Sequence, residues 1–321
     1  MELKDFMRKT GPEMAAYDFR EEIVPFAPEE IDELQRHIIY KAIGIAERDM
    51  MDVEKGEIPD DRWLAYQEAK AIYDAHREGL VPGGDADSCP LVLEILRELA
   101  GRQSGYPLLP ELKGDVMNSI QTTLNLALEL TSQRDMVKRY VADPTSLTAK
   151  LDALGPEARR FLRAAYTLGN FIPCPAGCNR PGKSLTKDYW DLTLWYIYLW
   201  FHGNEAQKEA ALERLFWDDR YAKLHMETYE DWLAQFGTWE DFVEKNHLQD
   251  YTEWEYRPYG RPKEFWDGHF EGSPTPKTAE QIKAFFRRAA ACIEMRSARM
   301  VRELEGKLPN TEEENKKGEL V

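Results

Sequence analysis

Residues 279–305 read AEQIKAFFRRAAACIEMRSARMVRELE, and this stretch decides the fold class. Its apolar side chains recur every three or four positions, the spacing of one buried helix face; they are Ile282, Phe285, Phe286, Ala289, Cys292, Ile293 and Met300. The spacing predicts a helix from about Ala279 to Glu305. The same period recurs along most of the chain. Alternating strand patterns are nearly absent, although Phe171-Ile172 is a possible short strand.

Two further helical stretches follow an N-terminal segment that we expect to be extended or irregular through Pro25. Pro28-Glu29-Glu30 opens the first stretch and Gly56 ends it, whereas the second begins near Pro59-Asp60. Proline and acidic residues favour the first turn of a helix. Because only a short turn separates the two stretches, they are predicted to form an antiparallel hairpin.

The sequence therefore predicts an all-α protein. We expect a compact multi-helix, bundle-like array with an irregular central loop, a possible short hairpin and little or no sheet. Residues 1–309 are predicted to form a single helical globular domain, within which 26–80 are a possible N-terminal helical hairpin subdomain. The polar composition of residues 310–321 predicts a disordered tail.

Repeated capping chemistry predicts two short helices in the C-terminal half. Thr228 and Thr238 each begin a Thr-aromatic-Glu-Asp sequence, and Gly237 separates the two copies. Threonine followed three residues later by an acidic residue resembles a capping box. A helix is therefore expected to begin at each threonine.

The charge balance limits the classes of partner. Lys and Arg number 42 against 58 Asp and Glu, which gives a formal net charge of −16 and a pI near 5.0. A field of this sign disfavours non-specific nucleic-acid binding. It permits a small basic pocket for one anion, and it equally permits a basic protein partner.

Location is predicted from three features of the chain. The first residues have no apolar core of a signal peptide, and the most apolar run, Leu192–Phe201, is about half as long as a membrane span requires. The four cysteines suit reduced thiols. A cytoplasmic protein without membrane contact is therefore expected.

The first candidate site is the central loop from Asn170 to Asp191. Asn179, Arg180, Lys183 and Lys187 lie in or beside it, so cations gather there in an otherwise acidic chain. A helix start beside such a loop can bind an anion. The alternative is that the asparagines satisfy loop backbone groups and the cations pair with nearby carboxylates.

The second candidate site is a helix predicted from Asp115 to about Thr131, with Asp115 as a possible N-cap. One side of this helix is apolar. The other is mostly amides and hydroxyls, which suits a polar cavity; it carries Asn118, Gln121, Thr122, Asn125 and Glu129. The alternative interpretation of this face is ordinary surface.

The candidate catalytic groups are carboxylates of the same two regions. Asp115, Asp188 and Asp191 could serve as metal ligands or bases, or Asp188 and Asp191 could stabilise a helix start through its dipole. Cys174 and Cys178 lack further Cys or His ligands nearby in sequence, so they are interpreted as ordinary thiols. No metal is assigned, and no cofactor is identified.

The aromatic residues between Tyr251 and Pro276 allow two interpretations. Tyr251, Phe265, Trp266 and their neighbours alternate with arginine and lysine. Such a mixture suits a recognition loop that stacks on bases or sugars. It also suits a long loop held onto a helical body, and this second interpretation is favoured.

Several blocks of the chain resemble an uncharacterised bacterial family known only as a domain of unknown function. The similar blocks are Tyr17-Asp18-Phe19-Arg20, Lys113 to Asn125, Tyr166-Thr167-Leu168-Gly169-Asn170-Phe171-Ile172-Pro173, Lys187 to Leu194, Phe236-Gly237, Phe242-Val243 and Leu248-Gln249-Asp250. The resemblance brings no activity with it. It implies that both candidate sites contain landmarks of the family.

Three hypotheses of function follow. The first is a binding or interaction protein in which the loop and the polar helix line one pocket for a small anionic ligand. The second is an enzyme acting on a nucleotide or phosphate-bearing substrate, hydrolase- or nuclease-like, with Arg180 and Lys187 as charge clamps. The third is an acidic partner protein of a bacterial conflict or regulatory system.

Overall fold

A computed structural model describes residues 1–27, 32–107, 112–175, 188–216, 219–253 and 259–306. These residues are mostly helical and contain one two-stranded sheet. The all-α prediction is confirmed. The helices are α1 Leu3–Phe6, α2 Gly11–Ala15, α3 Glu33–Glu54, α4 Asp60–Ala75, α5 Pro90–Arg102, α6 Ile120–Ala127, α7 Gln133–Ala142, α8 Pro144–Ala153, α9 Pro156–Ala164, α10 Trp190–His202, α11 Glu205–Leu215, α12 Asp219–Ala234, α13 Trp239–Lys245 and α14 Ala279–Leu304.

Helix α14 forms the centre of the packing, and its prediction from the sequence is confirmed. Thr278 caps it, and Gln281 completes the capping box. Every apolar residue of the predicted face is buried. The helix packs against α2, α9 and the short 3-10 turn Leu168–Asn170. Burial of this face stabilises the fold by removing apolar surface from water, at roughly 25 cal/mol per Å².

Helices α3 and α4 form the predicted hairpin, and α7 packs across both. Asp32 caps α3 by accepting hydrogen bonds from the amides of Leu34 and Gln35. The predicted opening of this helix at Pro28-Glu29-Glu30 lies outside the described residues. The division of the chain into 1–309, 26–80 and 310–321 stays a prediction.

The sheet corrects the prediction of a helix beginning at Asp115. Strand β1, Leu112–Val116, pairs antiparallel with β2, Phe171–Pro175, so that Asp115 lies opposite Ile172. Helix α6 begins only at Ile120 and ends at Ala127, short of Thr131. Local periodicity missed β1 because its partner strand lies far along the chain. The possible strand at Phe171-Ile172 is confirmed.

A close backbone contact shows why β1 needs glycine. A Cβ atom on Gly114 would lie 2.0 Å from the carbonyl oxygen of Asp87. Strand β1 therefore packs directly on the 3-10 turn Ala86–Ser88. Glycine permits such an approach because it has no side chain.

Two other local predictions are wrong. The segment before Pro25 contains α1, α2 and a 3-10 turn at Phe19–Glu22, because its apolar side chains Phe6, Met14 and Phe19 are buried in the core. Thr228 lies inside α12 and begins no helix. At the second copy, Thr238 caps α13 by accepting a hydrogen bond from Asp241 N, as predicted.

No helix among the described residues combines the length and the apolar character needed to cross a membrane.

Candidate functional site

Asn118 and Asn170, predicted to bind ligand, are joined in one buried network. Asn170 Oδ1 accepts hydrogen bonds from the backbone N and the Nδ2 of Asn118, at 3.0 and 3.2 Å. Asn170 Nδ2 donates to the carbonyl oxygens of Asn118 and Ala165. Asn118 also donates to the Tyr251 hydroxyl and accepts from Trp190 N. Both asparagines are 0% exposed, so this network ties the ends of β1, β2 and α10 together.

The next residues of α6 form a second polar group that is closer to solvent. Gln121 Nε2 donates to Asn125 Oδ1 at 2.7 Å, and Gln121 Oε1 lies 3.2 Å from His37 Nε2 on α3. Thr122 Oγ1 donates to Asp188 Oδ2 at 2.8 Å. Thr122, Asn125 and Asp188 are half-buried. Three polar residues predicted on this helix therefore lie together, with one of the three candidate carboxylates.

Two cations, together with His37, surround the ring of Tyr166. The Arg20 guanidinium lies 4.6 Å from the centroid of this ring, and Lys41 Nζ lies 5.9 Å from it. The ring centroids of His37 and Tyr166 lie 6.2 Å apart. Arg20 is paired with Asp18 at 2.7 Å. We refer to Arg20, His37, Lys41, Gln121, Asn125 and Tyr166 as the polar cluster.

Two nitrogens of the polar cluster are buried without a hydrogen-bond partner among the described residues. They are Arg20 Nη1 and His37 Nδ1, and both side chains are essentially inaccessible to solvent. Lys41, which is half-buried, has no carboxylate at ion-pair distance in the described part of the chain. A buried polar group left unsatisfied costs about 1–3 kcal/mol. The cluster therefore has free capacity for polar interactions.

Burial determines the protonation of His37. Desolvation, and then the charges of Lys41 and Arg20, hold the pKa of His37 well below its ordinary value, so the folded protein carries it neutral near pH 7. Because Gln121 Nε2 donates to Asn125, Gln121 Oε1 accepts from His37 Nε2. In this arrangement His37 Nδ1 carries no proton and acts as a hydrogen-bond acceptor.

We expect His37 to make the protein less stable as the pH falls below about 6.5. The unfolded chain then binds a proton that the folded protein excludes, so the free energy of unfolding falls by up to ~1.4 kcal/mol per pH unit. Burial also lowers the pKa of His247, to about 3. His247 therefore adds an equal dependence of the free energy of unfolding on pH. Urea unfolding between about pH 7 and 5 should show that the free energy of unfolding of His37→Gln falls with pH half as steeply as that of the wild-type protein. An unchanged slope in that variant would contradict the assignment.

Asp191, the second candidate carboxylate, is 0% exposed and holds a loop in place. Its Oδ2 accepts from Phe265 N at 2.8 Å, and its Oδ1 lies 3.3 Å from His269 Nε2. Phe265 and Trp266 are buried in the core, as expected if the aromatic loop is held onto the helical body. Asp115, the third candidate, is buried on β1.

Three of the predicted ligand-binding residues, Asn179, Arg180 and Lys187, lie outside the described residues, as do Cys178 and Lys183. Sequence reasoning also missed Arg20, His37, Lys41 and Tyr166 as a group. The blocks Tyr17 to Arg20 and Tyr166 to Pro173 were the only signals for any of them, and no role was assigned to Arg20 or Tyr166. His37 and Lys41 carry no local pattern that separates them from other residues of an amphipathic helix.

No three His, Cys, Asp or Glu side chains of the described ranges are grouped as a metal ion would require. Comparisons of the chain with family models, with curated proteins and with solved structures find no match. The resemblance to an uncharacterised bacterial family therefore stays an expectation, and function is argued from the site.

Proposed function

We propose that the protein binds a small anionic ligand at the polar cluster. The observation that carries the proposal is the set of unused groups there: Arg20 Nη1, His37 Nδ1 and the Lys41 ammonium. Arg20 and Lys41 provide positive charge within a chain of net charge −16. Charge-assisted hydrogen bonds from such groups are the usual means of binding carboxylate or phosphate.

The same groups define the chemistry of the ligand. Lys41 offers N–H donors to an anionic group, whereas His37 Nδ1 offers an acceptor and so requires a donor. An anion that also carries a hydroxyl satisfies both; because His37 is fully buried, this hydroxyl reaches Nδ1 only when the cluster opens on binding. Asn125 and Thr122, half-buried beside Gln121, provide further hydrogen-bonding groups at the edge of the cluster. Hydroxy acids and sugar phosphates have this combination of groups.

Lys41→Ala tests the proposal. Loss of the ammonium is expected to weaken binding at least about tenfold, because a charge-assisted hydrogen bond contributes ~1.5–3 kcal/mol. Lys70→Ala is the matched control, since Lys70 is paired with Asp74 on the surface of α4. The ligands are screened by thermal shift and then titrated by calorimetry.

The ligand pair malate and succinate isolates the hydroxyl, because the two differ by that group alone. Malate is expected to bind more tightly, and His37→Gln to remove the difference. If no phosphate, nucleotide or acidic metabolite raises the melting temperature, the proposal fails. If Lys41→Ala and Lys70→Ala weakened ligand binding equally, binding would depend on net charge alone.

The enzyme hypothesis rests on Asp188 among the three candidate carboxylates. Its hydrogen bond with Thr122 holds it against α6, the helix that also carries Gln121 and Asn125, whereas Asp191 is fully buried. A carboxylate at the edge of a ligand site can act as a base or metal ligand. Hydrolysis of a phosphate ester that Asp188→Asn abolishes, with ligand binding retained, would favour this alternative.

Two broader expectations belong with the proposal. The free cysteines Cys89 and Cys292 support a reducing, cytoplasmic location. The excess of acidic residues supports a basic protein partner as an alternative function, for which salt-sensitive binding is the test.

A further inference from the structure

A second group of cations surrounds an open cavity at the other end of α3. The cavity has a volume of about 400 Å³ and lies between α3, α4 and α7; its lining residues are Arg48, Asp49, Met51, Asp52, Arg62 and Arg134. Arg48 follows Lys41 by seven residues on α3, which is roughly 10 Å along the helix. The arginine cavity is therefore separate from the polar cluster.

Two carboxylates, one buried and one half-buried, hold two of these arginines in place. Asp49 is 0% exposed and accepts from Arg62 Nη2 and from Arg134, whose Nη2 lies 2.6 Å from Asp49 Oδ1. Asp52 accepts from the same nitrogen of Arg62 at 2.9 Å. The two carboxylates thus fix the direction of two guanidinium groups that come from different helices.

The arginines keep unused donors. Arg62 Nη1 and Arg134 Nη1 make no hydrogen bond to any residue in the described ranges, and Arg62 Nε is buried without a partner there. Arg48 donates through Nε to the Gly44 carbonyl, and its two terminal nitrogens have no partner in the described chain. Three cations face two carboxylates, so the cavity is locally positive in an acidic protein.

We infer that this cavity binds a small molecule through a phosphate monoester group. Three guanidinium groups from three helices approach from different directions, which suits the several oxygens of a phosphate better than the two of a carboxylate. The volume of about 400 Å³ is within the range of small-molecule sites. Met51, which is 60% exposed, lies at the cavity and offers an apolar contact to the rest of the ligand.

The pairing of Asp49 with Arg62 and Arg134 preorganises the cavity for this ligand. Guanidinium groups that are fixed before binding lose little side-chain entropy when the phosphate arrives. Arg48 is different, because its exposed end is free to close on the bound group. Arg48 can therefore be removed without disturbing the ion pairs that hold α3, α4 and α7 together.

The test is calorimetric titration of the full chain at low salt with glycerol phosphate and, separately, with malonate. The titrations are made in a Lys41→Ala background, so that binding at the polar cluster does not contribute to the result and the two sites are tested independently. Arg48→Ala is expected to weaken glycerol phosphate binding at least about tenfold and to leave the melting temperature unchanged. Arg97→Ala is the control, because it removes the same charge from an exposed position on α5.

Four outcomes would overturn the inference. The first is the absence of measurable glycerol phosphate binding in the Lys41→Ala background. The second is malonate binding as tight as that of glycerol phosphate, which would make the site a carboxylate site. The third is equal weakening by Arg48→Ala and Arg97→Ala. The fourth is binding that Arg48→Ala does not change.

Discussion

Replacing Gly169 with alanine is expected to destabilise the protein by roughly 4 kcal/mol or more, the range reserved for severe packing defects. A Cβ atom at this position would lie 1.9 Å from the carbonyl oxygen of Ile293 and 2.7 Å from the amide nitrogen of Ser297. Both are backbone atoms of α14, so no side-chain rotation can make room. Helix α14 would have to move away from the turn that precedes β2. Urea unfolding measures the loss.

Gly44→Ala provides the matched control for this prediction. Gly44 lies inside α3, and a Cβ atom there would meet no heavy atom of the described residues within 4 Å beyond the local backbone of its own helix. Because alanine favours a helix interior over glycine, the variant is expected to gain about 0.5–1 kcal/mol. If both substitutions lowered stability to the same extent, close packing of Gly169 on α14 would not be the cause.

Replacing Arg296 with methionine is expected to cost roughly 3 kcal/mol or more, because buried carbonyl groups would lose their donor. Arg296 is 1% exposed on α14. Its Nε donates to Asn246 O, and its Nη1 donates to Gly169 O and Phe171 O at 2.8 and 2.7 Å. Burial lowers the pKa of Arg296 to about 10, so the group stays charged at neutral pH. The side chain thus connects two separate segments of backbone, 169–171 and the end of α13, to one helix.

Two further variants separate the hydrogen bonds from the bulk of the side chain. Arg287→Met, on the exposed face of the same helix, should change stability by no more than about 0.5 kcal/mol. Arg296→Lys retains the charge but lacks the planar fork that reaches several carbonyls, so it should remain markedly destabilised. Wild-type stability of Arg296→Met in urea would show that the three carbonyl contacts contribute nothing.

Gly169, Asn170 and Arg296 together show what the candidate site requires from the rest of the fold. Arg296 binds the carbonyl groups on both sides of Asn170. Asn170 in turn fixes Asn118, directly before α6 and its polar residues Gln121 and Asn125. A variant that disturbs this support should therefore also weaken ligand binding at the polar cluster, although none of the three residues belongs to it.

The sequence singled out polar residues in and just before α6, but it could not give their surroundings. Asn118, Gln121, Thr122 and Asn125 were predicted to face one polar cavity. Instead, Asn118 is buried with Asn170 and Tyr251, whereas Gln121 and Asn125 join His37. A helical projection cannot distinguish these surroundings, because it gives directions about one helix axis and says nothing about which element lies in each direction.

The sequence by itself determined the helical architecture, including α14 and the α3–α4 hairpin, because helix period and capping depend on residues a few positions apart. Only the tertiary structure decided that 112–116 is a strand, since the hydrogen bonds that hold it extended come from Phe171–Pro175. The same holds for the meeting of His37 with Gln121, 84 residues apart, and for the three arginines around Asp49. Contacts of this kind depend on how helices pack, and that arrangement is fixed by the burial of the whole core at once.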